Sequence, residues 1–159
     1  MKVIRLATVW LAGCSGCHMN LLNLHHDLLE ILEQCQLVYS PLMDVKEYPE
    51  AVDIALVEGA VANADNREMA RMVRERTRIV ISLGDCAVNG NVSALRNPAG
   101  LAATLERSYG DSFRGAGLTR LEQRVMPLHQ VIAVDAYIPG CPPDVLLIRQ
   151  ELEQALTLR

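Results

Sequence analysis

Almost uninterrupted aliphatic runs recur along the chain, most of them closing on a glycine and giving way to an amphipathic helical stretch. Val3 to Ala12 is the first such run and ends at Gly13; Val52 to Val57 ends at Glu58-Gly59; Arg78 to Leu83 ends at Gly84. Val131 to Ile138 is a later one and ends at Pro139-Gly140, and Gln36 to Pro41 reads as a shorter strand. Between them, His18 to Gln34, Asp65 or Asn66 to Arg76, and Asp144 to Leu158 carry apolar residues at helical spacing. Strands that are apolar at nearly every position must be buried on both faces, and alternating helices supply the cover. The pattern therefore predicts an α/β fold, a doubly wound parallel sheet with helices on both faces.

In such sheets ligands gather beyond the carboxyl ends of the strands. Three of the four predicted strand-end turns bring a cysteine there: Gly13-Cys14, Gly84-Asp85-Cys86 and Gly140-Cys141. The stretch from Asn89 to Pro127 is less regular, with one short helix predicted over Leu101 to Arg107. At 159 residues, half of them apolar, the chain is long enough for one core and short for two, so residues 1–159 are expected to form a single domain. A net charge of -4 and the lack of a Lys/Arg run exclude a phosphate-binding surface, and with it nucleic acid as a partner. The apolar start of the chain is too short to span a bilayer, and its β-branched residues suit a strand better than a signal peptide.

Cys14-Ser15-Gly16-Cys17 places two thiolates near neighbouring corners of one metal centre. Cys86 and Cys141 lie far along the chain but at the same predicted sheet edge. Structural zinc sites usually come as two close pairs, whereas an iron–sulfur cube accepts single thiolates from separate loops. Pro142 and Pro143 would add apolar cover beside Cys141. Alternatives stand beside this reading. The Cys-x-x-Cys pair could be a redox dithiol at a helix start, though that leaves Cys86 and Cys141 unexplained. Either of those two could be a buried apolar thiol, which is the reading given to Cys35 at the predicted end of the first helix. His18 adjoins Cys17 and could reach a cluster sulfur, cap the helix or be solvated; His25 and His26 point to different helix faces, and His129 carries no signal.

The runs AGCSGCHMNLL at 12–22, VEGAV at 57–61, SLGDCAVNGNV at 82–92 and IPGCPPD at 138–144 resemble the small subunits of [NiFe] hydrogenases. These four motifs stand in the family's order and span most of the chain. The resemblance implies a flavodoxin-like domain with one 4Fe-4S cluster, ligated by Cys14, Cys17, Cys86 and Cys141 and facing the nickel-iron site of a hydrogenase large subunit. It puts Glu58 near the large-subunit interface, with a proton-path or structural role. No cysteine remains to bind the further clusters many members carry, so the chain is similar to the short form of bidirectional, NAD-reducing cytoplasmic hydrogenases. There, electrons leave for diaphorase iron–sulfur and flavin subunits. The resemblance implies hydrogen:NAD+ oxidoreductase activity for the complex and none for this chain alone, with the nickel-iron centre, FMN and NAD in partner subunits and no direct membrane insertion. A more remote similarity is to the cluster-bearing subunit of respiratory complex I and of energy-converting membrane hydrogenases. A zinc-stabilised interaction module and a free flavin protein complete the alternatives; for the second, the loop after the first strand carries cysteines where a flavin phosphate would need Ser and Thr.

Overall fold

The computed structural model describes residues 3–112, 115 and 117–158, so part of the predicted irregular stretch (113, 114 and 116) lies outside the described residues. In chain order, β1 (Ile4–Trp10) leads into α1 (Gly16–Leu22) and α2 (His26–Gln34), followed by β2 (Cys35–Tyr39), β3 (Val52–Glu58) and β4 (Val61–Asn63). Then come α3 (Ala64–Arg76), β5 (Thr77–Leu83), α4 (Asp85–Asn89) and a 3-10 turn over Asn91–Arg96. The chain continues through α5 (Leu101–Tyr109), β6 (Leu121–Met126), β7 (Ala136–Ile138) and α6 (Val145–Thr157).

Five strands form one parallel sheet in the order β2-β1-β3-β5-β7. Counting only those strands, this is the flavodoxin-like order 2-1-3-4-5, with the topological switch between β1 and β3. Side chains alternate across the sheet as the pleat requires. Leu6, Ile54, Leu56, Ile81 and Leu83 face α2 and α6, where Ile31, Ile148 and Leu152 meet them. Ala7, Val9, Ala55, Val57 and Val80 face the other way, against Ala70 and Val73 of α3 and against Leu128. Both faces are thus covered, which is why the central strands are apolar at most positions.

Three local expectations are corrected. The helix predicted over His18 to Gln34 is two helices, broken where His25 adopts φ 50°. The break lets α1 aim Cys17, His18 and Leu21 inward at the sheet edge while α2 buries Ile31 beside α6. Cys35 is the C-cap of α2, as expected at the helix end, and at the same time opens β2. The strand predicted from Val131 shrinks to Ala136–Ile138, because Val131 and Ile132 turn their N–H groups back to the Leu128 carbonyl. Finally, the irregular stretch supplies β6, which pairs antiparallel with β4 in a two-stranded ribbon. Arg67 braces it through Glu122 at 2.7 Å. No helix among the described residues is long and apolar enough to cross a membrane.

Candidate functional site

The loop after β1 is held by a short antiparallel bridge at the switch point. Leu11 N–H donates to the Glu58 carbonyl at 2.8 Å, and Ala12 and Ala60 exchange backbone bonds at 3.0 and 2.9 Å. Gly13 lies so close to β3 that an added Cβ would stand 3.2 Å from Gly59 Cα and 3.3 Å from Glu58 Oε1. Cys14 is exposed beyond this bridge, and Cys17 is buried in the first turn of α1. That turn has no side-chain cap from its own N-cap residue, Ser15. Glu58 takes the role instead: its Oε2 accepts the His18 backbone N–H at 2.9 Å and bonds His18 Nδ1 at 2.5 Å. A carboxylate at a helix N-terminus is electrostatically well placed.

The loop after β5 touches the first loop directly. Gly84 adopts φ +80°, and a Cβ there would overlap Cys17 Sγ. Gly84 is therefore needed both for its backbone angle and for the close approach. Cys86 follows, half-buried in the first turn of α4. The third loop, which carries exposed Cys141, is stapled to the second: Asp85 N–H donates to the Gly140 carbonyl at 2.9 Å, and Gly140 N–H donates to Asp85 Oδ1 at 2.7 Å. Asn20 of α1 closes the circle by donating to the Pro143 carbonyl at 2.8 Å.

Four thiols thus face one another from three mutually bonded loops. Burial, first, and then the charges of Glu58, Cys86, Cys14 and Cys141 push the Cys17 thiol up to about 12. Burial also raises Cys86, a hydrogen bond with Ser93 pulls it back, and Cys141, Cys14 and Glu58 raise it further. Cys17 and Cys86 resist ionisation, and a cationic centre beside them would favour their thiolate forms. Among the described residues no three His, Cys, Asp or Glu side chains stand close enough to hold one metal ion.

Cys35 is elsewhere, buried at the start of β2 with its Sγ donating to the Ile31 carbonyl at 3.3 Å. Glu58 is not a surface carboxylate of this chain: at 1% exposure it lies beneath the Cys17 loop. His18 is buried as well, with Nε2 lacking a partner among the described residues. The His18–Glu58 pair, the Asp85 staple and Ser93 were not singled out from sequence. Only the strand-end position of Glu58 hinted at the first, and no sequence signal marked the other two.

Residues 14–155 match the family described as NADH ubiquinone oxidoreductase, 20 Kd subunit. The chain belongs to this family. Its relatives include a subunit of the F420-non-reducing hydrogenase of Methanothermobacter marburgensis, 41% identical over 152 residues that cover 88% of this chain and 49% of the relative. They also include the delta subunit of the NAD-reducing hydrogenase HoxS of Cupriavidus necator, 38% identical, covering 88% and 73%. The chain spans about half the length of the methanogen relatives. A chain of an NAD+-reducing [NiFe]-hydrogenase solved in the H2-reduced state superposes with a TM-score of 0.90 at 38% identity, covering 99% of this chain and 93% of that one. A [NiFeSe] hydrogenase from Desulfovibrio vulgaris Hildenborough shares the fold alone, at 18% identity and a TM-score of 0.66. The family named for a complex I subunit thus also holds the hydrogenase subunits that the four motifs resemble, and small-subunit membership stands.

Proposed function

We propose that this chain, as one domain over residues 1–159, is the electron-transfer small subunit of a cytoplasmic NAD-reducing [NiFe] hydrogenase, with one 4Fe-4S cluster on Cys14, Cys17, Cys86 and Cys141. The observation that carries the reading is the convergence of four free thiols on three loops bonded to one another, with Cys17 and Cys86 pushed up by burial and by their neighbouring thiols. The residues fit such a group on two counts. The donor set is all thiol, the chemistry that iron–sulfur clusters take. Gly84 keeps a side chain out of the space that Cys17 Sγ occupies.

A 4Fe-4S cluster bound there supplies one-electron transfer between the nickel-iron centre of a large partner subunit and FMN and NAD in diaphorase partners. The chain's own residues position and insulate it. Glu58 anchors the Cys17 turn, Asp85 locks the Cys86 and Cys141 loops in register, and the aliphatic core behind them excludes water. The matches at 38% identity to the delta subunit of an NAD-reducing hydrogenase and to a chain of an NAD+-reducing [NiFe]-hydrogenase support the NAD-linked assignment of the acceptor. The complex as a whole would be a hydrogen:NAD+ oxidoreductase, with no catalysis by this chain alone.

Anaerobic iron, sulfide and zinc analysis with EPR, on the chain copurified with its partners and on a Cys86→Ser variant, tests this. About four irons and four sulfides assigned to this subunit, lost or altered in the variant, are expected. Zinc in their place, or an unchanged cluster in the variant, would overturn the ligand assignment.

A further inference from the structure

Pro142 and Pro143 carry no N–H, so the segment after Cys141 has no donors of its own to staple it to a neighbour and must be held by its carbonyls. The Pro143 carbonyl also stands outside the helix that follows. The cap of α6 is Asp144, whose carbonyl is the first to enter the helical ladder, accepting the Ile148 N–H at 3.1 Å. The Pro143 carbonyl is met instead from across the site by Asn20 of α1, 123 residues away in the chain, whose Nδ2 donates to it at 2.8 Å. A carbonyl can only accept, so the Asn20 amide must turn its nitrogen toward Pro143. Its Oδ1 is then taken up by Asn23 Nδ2 at 2.9 Å, at the end of α1, and the amide is fixed on both sides.

Cys141 lies between two anchors. On one side, Gly140 is bonded both ways to Asp85, at 2.9 and 2.7 Å, which ties it to the Cys86 loop. On the other, Pro143 is bonded to α1, which carries Cys17 in its first turn. Cys141 itself is exposed, so packing within this chain does not hold its side chain. No other hydrogen bond among the described residues joins α1 to this loop. Cys17 and Asn20 are one helical turn apart and neighbours on α1, so the amide carries the position of Cys17 across to the Cys141 loop. We propose that Asn20 is a positioning residue of the cysteine site, its amide setting the reach of Cys141 to the cluster corner that this thiol holds. The proposal rests on the reading that the four cysteines bind one cluster. Without the tie Cys141 is hydrogen-bonded on the Gly140 side alone, and its corner becomes the one from which iron leaves first.

The test is made on the intact complex, purified anaerobically with three variants. Asn20→Asp has the same shape but sets an acceptor against the Pro143 carbonyl, Asn20→Ala removes the amide, and Asn20→Gln keeps a donor. Iron and sulfide are measured on each, and EPR spectra are recorded after mild oxidation with ferricyanide that leaves the wild-type cluster whole. Cluster absent from the wild type would sink the ligand reading itself. With the cluster present, Asn20→Asp and Asn20→Ala are expected to lose about one iron in four, to keep their sulfide, and to show the EPR signal of a three-iron cluster. In that step the four-iron cluster gives one electron to ferricyanide and one ferrous ion to solution, leaving the oxidised three-iron form. Asn20→Gln should stay near the wild type, which a merely structural role of the position would not require. Adding Asn20→Asp to Cys141→Ser should remove no further iron, because both changes act on one corner. Should Asn20→Asp fail to assemble, the alanine and glutamine pair decides alone. Full iron in a loaded alanine or aspartate variant, equal losses for glutamine and alanine, or further loss in the double variant would overturn the proposal and leave the ligand assignment intact.

Discussion

Glu58→Ala deletes an acceptor that two groups of His18 share, the backbone N–H at 2.9 Å and Nδ1 at 2.5 Å. Glu58 is 1% and His18 2% exposed, so bulk water does not replace the lost bonds. Nε2 of His18 already lacks a partner among the described residues, and the variant would leave neither ring nitrogen bonded. Each stranded buried polar group costs about 1–3 kcal/mol, and the variant strands two of them, the His18 N–H and Nδ1. We expect a loss of about 4 kcal/mol out of a total stability of about 5–15 kcal/mol. With a urea slope of about 2 kcal/mol per molar, the unfolding midpoint of the metal-free chain should fall by about 2 M, read by circular dichroism. Glu58→Gln keeps the shape and one acceptor oxygen and should lose less than half as much. In a double-mutant cycle with His18→Ala, the combined loss should be smaller than the two single losses added. A Glu58→Ala midpoint within about 0.5 M of the wild type, or strict additivity in the cycle, would refute the idea that this pair holds the Cys17 turn.

Gly84→Ala forces an alanine to φ +80° and drives its Cβ into Cys17 Sγ. The backbone angle alone costs about 1–3 kcal/mol; iron retention should fall further than the midpoint of unfolding, and full iron content in this variant would contradict the close approach. Cys35→Ala removes a buried thiol remote from the other four and should cost about 1 kcal/mol with iron and sulfide unchanged, so loss of iron would move Cys35 into the ligand set. In the reduced, metal-free chain, exposed Cys14 and Cys141 should alkylate quickly near neutral pH and buried Cys17 and Cys35 slowly, as mass spectrometry of timed samples would show. The pH dependence follows from the same burial. The Cys17 thiol is held up at about 12 against an ordinary value of 9.0, so below pH 9 both folded and unfolded chains keep the proton. Between 9.0 and about 12 the unfolded chain releases it first, which stabilises the unfolded state, and Tyr48, raised from 10.0 to about 12, acts in the same direction. Urea midpoints should therefore decline from about pH 9 upward, and a rise over that window would refute the assignment.

What could be read from residues alone was the alternation of strand and helix, because a strand buried on both faces must be apolar at nearly every position and that signature is local. Ile54 to Val57 and Ile79 to Ile81 carry it without interruption. The glycines that end the strands marked where the chain could turn, and the cysteines beside them marked the edge where chemistry would gather. The β4–β6 ribbon was invisible, since Leu121–Met126 is a mixed, half-exposed run whose partner lies far back in the sequence. The break at His25 was equally hidden: periodicity continues through it, and only the need to aim α1 at the sheet edge and α2 at α6 divides the helix.

Within the site the division is the same. Residue type and strand-end position were enough to single out Cys14, Cys17, Cys86 and Cys141 as candidates, and to set Cys35 apart. The partners that hold those thiols came from pairing across the sheet, where register decides which side chains meet. Glu58 reaches His18 because β3 lies beside β1, and Ser93 reaches the Ala12 carbonyl because a 3-10 turn folds back at Gly90. A sequence determines what each residue can bond to, through its charge, size and backbone preference. The bonds made between residues far apart in the chain depend on free energies summed over the whole packed sheet, and only the tertiary structure decided them.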